Sequence, residues 1–307
     1  MLKTPFEMMQ MAVDIVHTSP HPTNKIAVAI AGTDADGIPF EIASTNEQPA
    51  ALQKILDNGE KIGSASPTIH AEMAAIIDAP CTNSAQIYIT DPPCPNCAKY
   101  IAEAGFTDVY IDHKGFEKDF FERRKDSVTL SFDILEDAGI SVHKISRKNE
   151  QLETLITADP ADTIDRSGYL IKPLKQPYSI TSLIEKAQRV ETPFPFVLMA
   201  AHDKSGNTVS LYTEPARHGT KHDTPCGKYS LSIQPLNRAF MLAARHGLII
   251  DRNTIITSHV PTSREFVNAI GAGITTLHIL DKNNARDEQS MRALKQLMET
   301  KIITIKS

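Results

Sequence analysis

The chain has 307 residues, 41% hydrophobic and 22% charged, enough for two domains that each bury a core. A formal net charge of −5 argues against binding that rests on polynucleotide phosphates, which calls for a clustered positive surface. Four cysteines argue against a disulfide framework and for a reducing cytoplasm, and no apolar run approaches the roughly 18 residues of a membrane span.

In chain order, Thr4–His17 reads as an amphipathic helix with Phe6, Met9, Ala12, Val13 and Val16 on one face. Glu7 and Asp14 interrupt it too early for a signal peptide. Lys25–Ala31 and Ile38–Ala43, joined through Asp34-Ala35-Asp36-Gly37, read as a strand hairpin. His70–Ile77 is helical, Gln86–Thr90 a strand, Pro95–Ala104 a helix stopped by Gly105, and Thr107–Asp112 a strand. A helix near Leu130–Ala138 and a strand Ser141–Ile145 complete a layered α/β unit. The polar stretch Arg147–Pro177 reads as a connection. A second series then runs from the helix Ser179–Val190 to the helix Ser290–Glu299 and the strand Ile302–Lys306.

The chemistry is carried by His70-Ala71-Glu72 and Pro93-Cys94-Pro95-Asn96-Cys97. One imidazole and two thiolates fill three corners of a zinc tetrahedron. Three protein ligands with an open fourth position is the catalytic arrangement, whereas structural sites close with four. Pro95 suits the first turn of a helix, and the positive helix start favours thiolates at Cys94 and Cys97. Glu72, two residues from His70, is placed to shuttle protons without binding the metal. A lone C-x-x-C would equally suit a thiol redox pair or half of a structural zinc site; the upstream His-x-Glu tips the reading toward catalysis.

The chain also repeats itself. Ile255–Lys282 lies under Ile87–Lys114 without a gap: Pro93 meets Pro261, Gly105 meets Gly273 and Lys114 meets Lys282. The same offset brings Pro67 to Pro235, Ala71 to Ala239 and Met73 to Met241. The second copy lacks the chemistry, because Arg238, Phe240, Thr262 and Glu265 stand where the first has His70, Glu72, Cys94 and Cys97. Arg238 and Glu265 are expected to form an ion pair closing the vacated site. The reading is therefore an active domain over 1–148, a connecting segment over 149–178 and a degenerate domain without zinc ligands over 179–307.

The H-x-E…P-C-x-x-C string is the signature of zinc-dependent nucleobase deaminases. With Pro92–Lys99, Ala104-Gly105 and the strand Thr107–Ile111, it resembles the deoxycytidylate deaminases of the cytidine deaminase-like superfamily. The resemblance covers about Met8 to Ile145 and thinly the second half. It implies a three-layer fold, a mixed five-stranded sheet flanked by helices and here duplicated in tandem, with Zn2+ held by His70, Cys94 and Cys97 at helix starts. Glu72 would be the proton shuttle, and Asn46, Ala71 and Pro93 are candidate substrate contacts. Many deoxycytidylate deaminases have asparagine where this chain has Ala74-Ala75, and Ala51–Ser66 is long for the loop before the catalytic helix. An inactive copy fused to an active one suggests an internal pseudo-dimer, with further oligomerisation open.

The leading expectation is a hydrolytic deaminase of a small nucleoside or nucleotide, of cytidine or dCMP type. Two alternatives stand beside it: a base deaminase acting on RNA such as tRNA with the C-terminal half as platform, and a non-catalytic zinc-stabilised interaction protein. Arg217–Asp223 reads as a solvated loop, with contact to a phosphate at the active site or to nucleic acid, and metal binding through His218 and His222, as the alternatives. Cys81 and Cys226 read as packed thiols, and Phe120-Phe121 beside Arg123-Arg124-Lys125 as packing under a charge run.

Overall fold

A computed structural model describes residues 3–57, 59–118, 125–157, 159, 168–219 and 230–306. Helix α1 (Pro5–Ile15) opens with a capping box, in which Thr4 Oγ1 accepts the Glu7 N–H and Glu7 accepts the Thr4 N–H. The strands β1 (Ala27–Thr33) and β2 (Pro39–Thr45) form the expected hairpin. The short α2 (Gln53–Asp57) leads to α3 (Ala71–Asp78), β3 (Gln86–Ile89), α4 (Pro95–Ala104) and β4 (Asp108–Asp112). The elements α5 (His113–Phe116), α6 (Lys125–Glu136), β5 (Ser141–Ser146) and β6 (Gln151–Ile156) follow. Gly105 closes α4 in the left-handed region at φ 81°, which glycine takes without strain.

The second series begins with β7 (Tyr169–Pro173), α7 (Ile180–Gln188), β8 (Val197–His202) and β9 (Thr208–Thr213). After the short pair β10 (Ala216–Arg217) and β11 (Ser232–Ile233) come α8 (Pro235–Arg245), β12 (Ile249–Ile250) and β13 (Ile256–Val260). It closes with α9 (Ser263–Gly271), β14 (Thr276–Ala285), α10 (Glu288–Thr300) and β15 (Thr304–Lys306).

Both sheets follow one path. The first is ordered β2-β1-β3-β4-β5-β6 and the second β15-β14-β13-β8-β9-β7, so β9-β8-β13-β14-β15 retraces β2-β1-β3-β4-β5. In each, the hairpin is antiparallel to its neighbour and the last three strands of that common path run parallel. The segment read as a plain connection holds two added strands: β6 pairs antiparallel with β5, and β7 with β9. Each covers an edge whose backbone groups would otherwise lack partners, which turns the expected five-stranded sheets into larger ones.

Side-chain alternation explains the layering. Val28, Ile30, Ile87, Ile89, Val109 and Ile111 point to one face of the first sheet; Ala27, Ala29, Tyr88 and Tyr110 point to the other, under Met8, Met9 and Ala12 of α1. The second sheet does likewise, with Leu198, Ala200 and Ile256 facing Leu183 and Ala187 of α7. The inward faces of both sheets share a single core with the helices α3, α4, α8 and α9 between them. The two series are thus joined through the helices that carry the site.

The contact is tight at Gly271, where an added Cβ would collide with the buried side chain of Ile69 from the first series. Gly271→Ala is expected to lower the unfolding free energy by about 1–3 kcal/mol through overpacking. Denaturant midpoints would show this, and an unchanged midpoint would mean that Ile69 yields freely.

Candidate active site

The helices α3 and α4 both start at the carboxyl end of the parallel strands, where open α/β sheets place ligands. His70 and Cys94 are their N-cap residues, in extended backbone (φ −73°, ψ 149°; φ −79°, ψ 164°). An N-cap side chain ordinarily accepts a helix N–H, yet neither of these does. They converge instead. His70 Nδ1 lies 3.3 Å from Cys97 Sγ and 3.7 Å from Cys94 Sγ, and the sulfurs are 3.5 Å apart. A tetrahedral zinc with ordinary bond lengths requires edges of about 3.8 Å between sulfurs and about 3.6 Å between sulfur and nitrogen. The triad fits that ion, and it is the one such cluster found among the described residues.

Burial pushes the Cys97 thiol well up, whereas its hydrogen bond with Cys97 draws Cys94 well down. Burial opposes the imidazolium of His70, but the Cys94 sulfur outweighs it and the net direction is up. Without a metal these directions favour a thiolate at Cys94 beside a protonated imidazole, whose proton would be released when a metal binds. Glu72 is buried on the first turn of α3, and its Oε2 has no hydrogen-bond partner among the described residues. Its carboxyl is raised, chiefly by burial. A buried carboxyl oxygen without a partner is costly, and such groups gather at functional sites.

The triad opens into a cleft of about 570 Å3 bordered by both series. Asn46 borders it, at the end of β2 as expected. Its Oδ1 accepts from Ile26 N and Ser19 Oγ, which leaves the Nδ2 donors without a partner among the described residues. Ala71 and Pro93 are buried beside the ligands and do not border the cleft. Residues not singled out from the sequence border it as well: His21, Lys99 and Tyr100 from the first series, Asn237, Arg264 and Arg286 from the second. One signal was available, since Arg264 occupies the repeat position of Asn96, between the two cysteines.

The expected Arg238–Glu265 ion pair is not formed. Arg238, fully buried, crosses to the first series, with Nε 2.7 Å from Glu103 Oε1 on α4, and it also donates to the carbonyls of Gly168 and Glu214. Glu265 instead forms a capping box with Thr262 at the start of α9: its Oε2 accepts from Thr262 N and Oγ1 at 2.8 Å, and its Oε1 from Leu236 N. Lacking the two thiols, this helix start is satisfied by a cap. His218 is buried with its Nε2 3.0 Å from Glu103 Oε2, so it is not part of a solvated loop. His222, Cys226, Phe120-Phe121 and Arg123-Arg124 lie outside the described residues; Cys81 is buried and free. No helix among the described residues is long and apolar enough to cross a membrane.

The fold and the centre together are those of a layered α/β protein with a His-Cys-Cys site at two helix starts. Residues 3–113 match the family model of the cytidine and deoxycytidylate deaminase zinc-binding region. An uncharacterized deaminase in the luxG 3' region of Aliivibrio fischeri is 32% identical over 98 residues, 32% of this chain and 65% of that protein. ComE operon protein 2 of Bacillus subtilis (strain 168) is 32% identical over 120 residues, covering 30% and 64%. Deoxycytidylate deaminase of Enterobacteria phage T4 is 37% identical over 86 residues, covering 26% and 39%. The chain therefore spans at most 65% of the length of these relatives. Among solved structures, a dCMP deaminase from the cyanophage S-TIM5, in complex with dCMP and dUMP, aligns at a TM-score of 0.35 with 21% identity, over 47% of this chain and 100% of that one.

Proposed function

We propose that the protein is a zinc-dependent hydrolytic deaminase that replaces the exocyclic amino group of a cytosine nucleoside or nucleotide by a carbonyl and releases ammonia. The observation that carries this is the convergence of His70, Cys94 and Cys97 beside the buried carboxyl of Glu72, whose Oε2 has no partner among the described residues, at the end of an open cleft. The three side chains would hold zinc, which when bound supplies a Lewis acid that makes water acidic near neutral pH. Glu72 takes one proton of the attacking water and gives it to the ring nitrogen, then takes the remaining proton of the added hydroxyl and passes it to the departing amine; its burial keeps the carboxyl basic enough to do so. Asn46 orients the substrate through its amide N–H groups, which have no partner among the described residues, while Ala71 and Pro93 shape the turns that present the three converging side chains. The sum is amidine plus water giving carbonyl plus ammonia.

In this reading residues 1–148 are the active domain, 149–178 the connection and 179–307 a degenerate deaminase-like domain, together an internal pseudo-dimer. The shared strand path of the two sheets supports it. A reducing cytoplasm, which keeps Cys94 and Cys97 as thiols, suits the centre. Ammonia release from the zinc-loaded protein is the test, over a panel of cytosine and adenine bases, nucleosides and nucleotides with tRNA in parallel. Turnover of a cytosine nucleoside or nucleotide, lost on chelation, is expected. Activity confined to tRNA or to adenine compounds would overturn the substrate assignment, and silence throughout would overturn the enzyme.

A further inference from the structure

We propose that the degenerate half sets the loop that carries His70, with Arg264 as a positioning residue that acts on His70 through the carbonyl of Thr68. This deepens the reading above and rests on its zinc centre. As an N-cap in extended backbone, His70 takes its place from the residues just before it. These residues are clamped from two sides. From the first series, Ile69 N donates to Glu47 O at 2.9 Å and Glu47 N to Ile69 O at 3.1 Å. From the second, three side chains reach across. Arg264, on the first turn of α9, donates from a terminal nitrogen to Thr68 O at 2.8 Å. Ser263 Oγ accepts the Ser64 N–H, and Gln296 Oε1 of α10 accepts the Gly63 N–H, both at 3.3 Å. Gly63 lies in the left-handed region at φ 54°, and a Cβ there would collide with Ser263 Oγ and the carbonyl of Gln289. The backbone that ends on a metal ligand thus rests on the other half of the molecule.

Among these contacts Arg264 lies nearest the ligand. Thr68 is buried, and its carbonyl has no other hydrogen-bond partner among the described residues. A buried carbonyl without a donor is costly, so on loss of the guanidinium it would turn toward another, and the peptide plane two residues before His70 would turn with it. The centre has little slack for that. His70 Nδ1 stands 3.3 and 3.7 Å from the two sulfurs, close to the edges that zinc requires. The charge of Arg264 acts in the opposite sense. A cation beside the site repels Zn2+, so by charge alone its removal would tighten metal binding. Positioning and charge therefore predict opposite signs for one measurement.

The test is the zinc affinity of the metal-free full chain, measured by competition with a chromophoric chelator and with no substrate present. Arg264→Gln should weaken zinc binding by about 10- to 100-fold, the usual effect of removing a group that orients a metal ligand. Arg264→Lys, which keeps the charge and a donor, should restore part of it. Gly63 does not border the cleft, yet Gly63→Ala should also weaken zinc, by pressing the loop off α9. Thermal midpoints of the metal-free variants check folding, and Gln296→Ala, at a partly exposed position, gives a milder lesion of the same contact with a smaller loss. At saturating zinc, Arg264→Gln should lower kcat with KM nearly unchanged. Tighter zinc in Arg264→Gln would leave only its charge, and unchanged affinity with a raised KM would make it a substrate contact. A lowered thermal midpoint with unchanged affinity would make it purely structural. Each of these three results would overturn the proposal. Absence of ammonia release by the zinc-loaded wild type would overturn the deaminase reading instead, and the affinity series would still decide the role of Arg264.

Discussion

Glu72→Gln should lower the rate of ammonia release by about 100- to 10,000-fold, the usual contribution of a positioned acid–base group, and leave the zinc content of the protein unchanged. Glutamine keeps the shape of the side chain but cannot accept a proton, and Glu72 is not among the three converging donors. The wild-type carboxyl is 2% exposed and its Oε2 lacks a hydrogen-bond partner among the described residues, so it is kept at a cost to folding. Glu72→Gln should accordingly be at least as stable as wild type toward urea. A variant that loses activity and zinc together would make Glu72 a ligand; one that keeps full activity would remove it from the chemistry.

Arg238→Met should destabilise the protein by about 3–5 kcal/mol, because it strands a buried carboxylate. Glu103 is 1% exposed and Arg238 is fully buried, and they join α4 of the first series to α8 of the second. Burial alone would raise the Glu103 carboxyl, but the adjoining His218 and Arg238 bring it down to about 2. A depressed carboxylate stabilises the folded state above its unfolded value near 4.5, and that contribution fades as the pH falls from there toward 2. Urea midpoints over this range should therefore fall less steeply for Glu103→Gln than for wild type. Replacing Arg238 and Glu103 together by apolar residues should cost much less than Arg238→Met alone. Equal losses would show that the pair is not coupled.

The convergence of His70, Cys94 and Cys97 was legible because the donor types and their spacing admit few other uses, and the offset between the halves placed α4 and α9 in register. The partner of Arg238 was not. Comparing repeats shows which residues occupy like positions in separate copies, whereas Arg238 meets Glu103 only because α8 packs on α4. Arg264 escaped for the same reason: it stands in the second series and borders the cleft beside His70 and Cys94 of the first. The strands β6 and β7 were hidden because they lie at sheet edges and are largely exposed, so burial imposes no sharp alternation on Gln151–Ile156 or Tyr169–Pro173. His218 looked solvated from its polar neighbours, and its burial follows from the carboxylate that α4 brings to it.

The most direct measurement is ammonia release from cytosine nucleotides as zinc is titrated into metal-free protein. Activity should rise in proportion to added zinc and level off at one equivalent per chain, with Cys97→Ala flat throughout. Activity independent of zinc, or a plateau at two equivalents, would contradict a single catalytic centre at His70, Cys94 and Cys97.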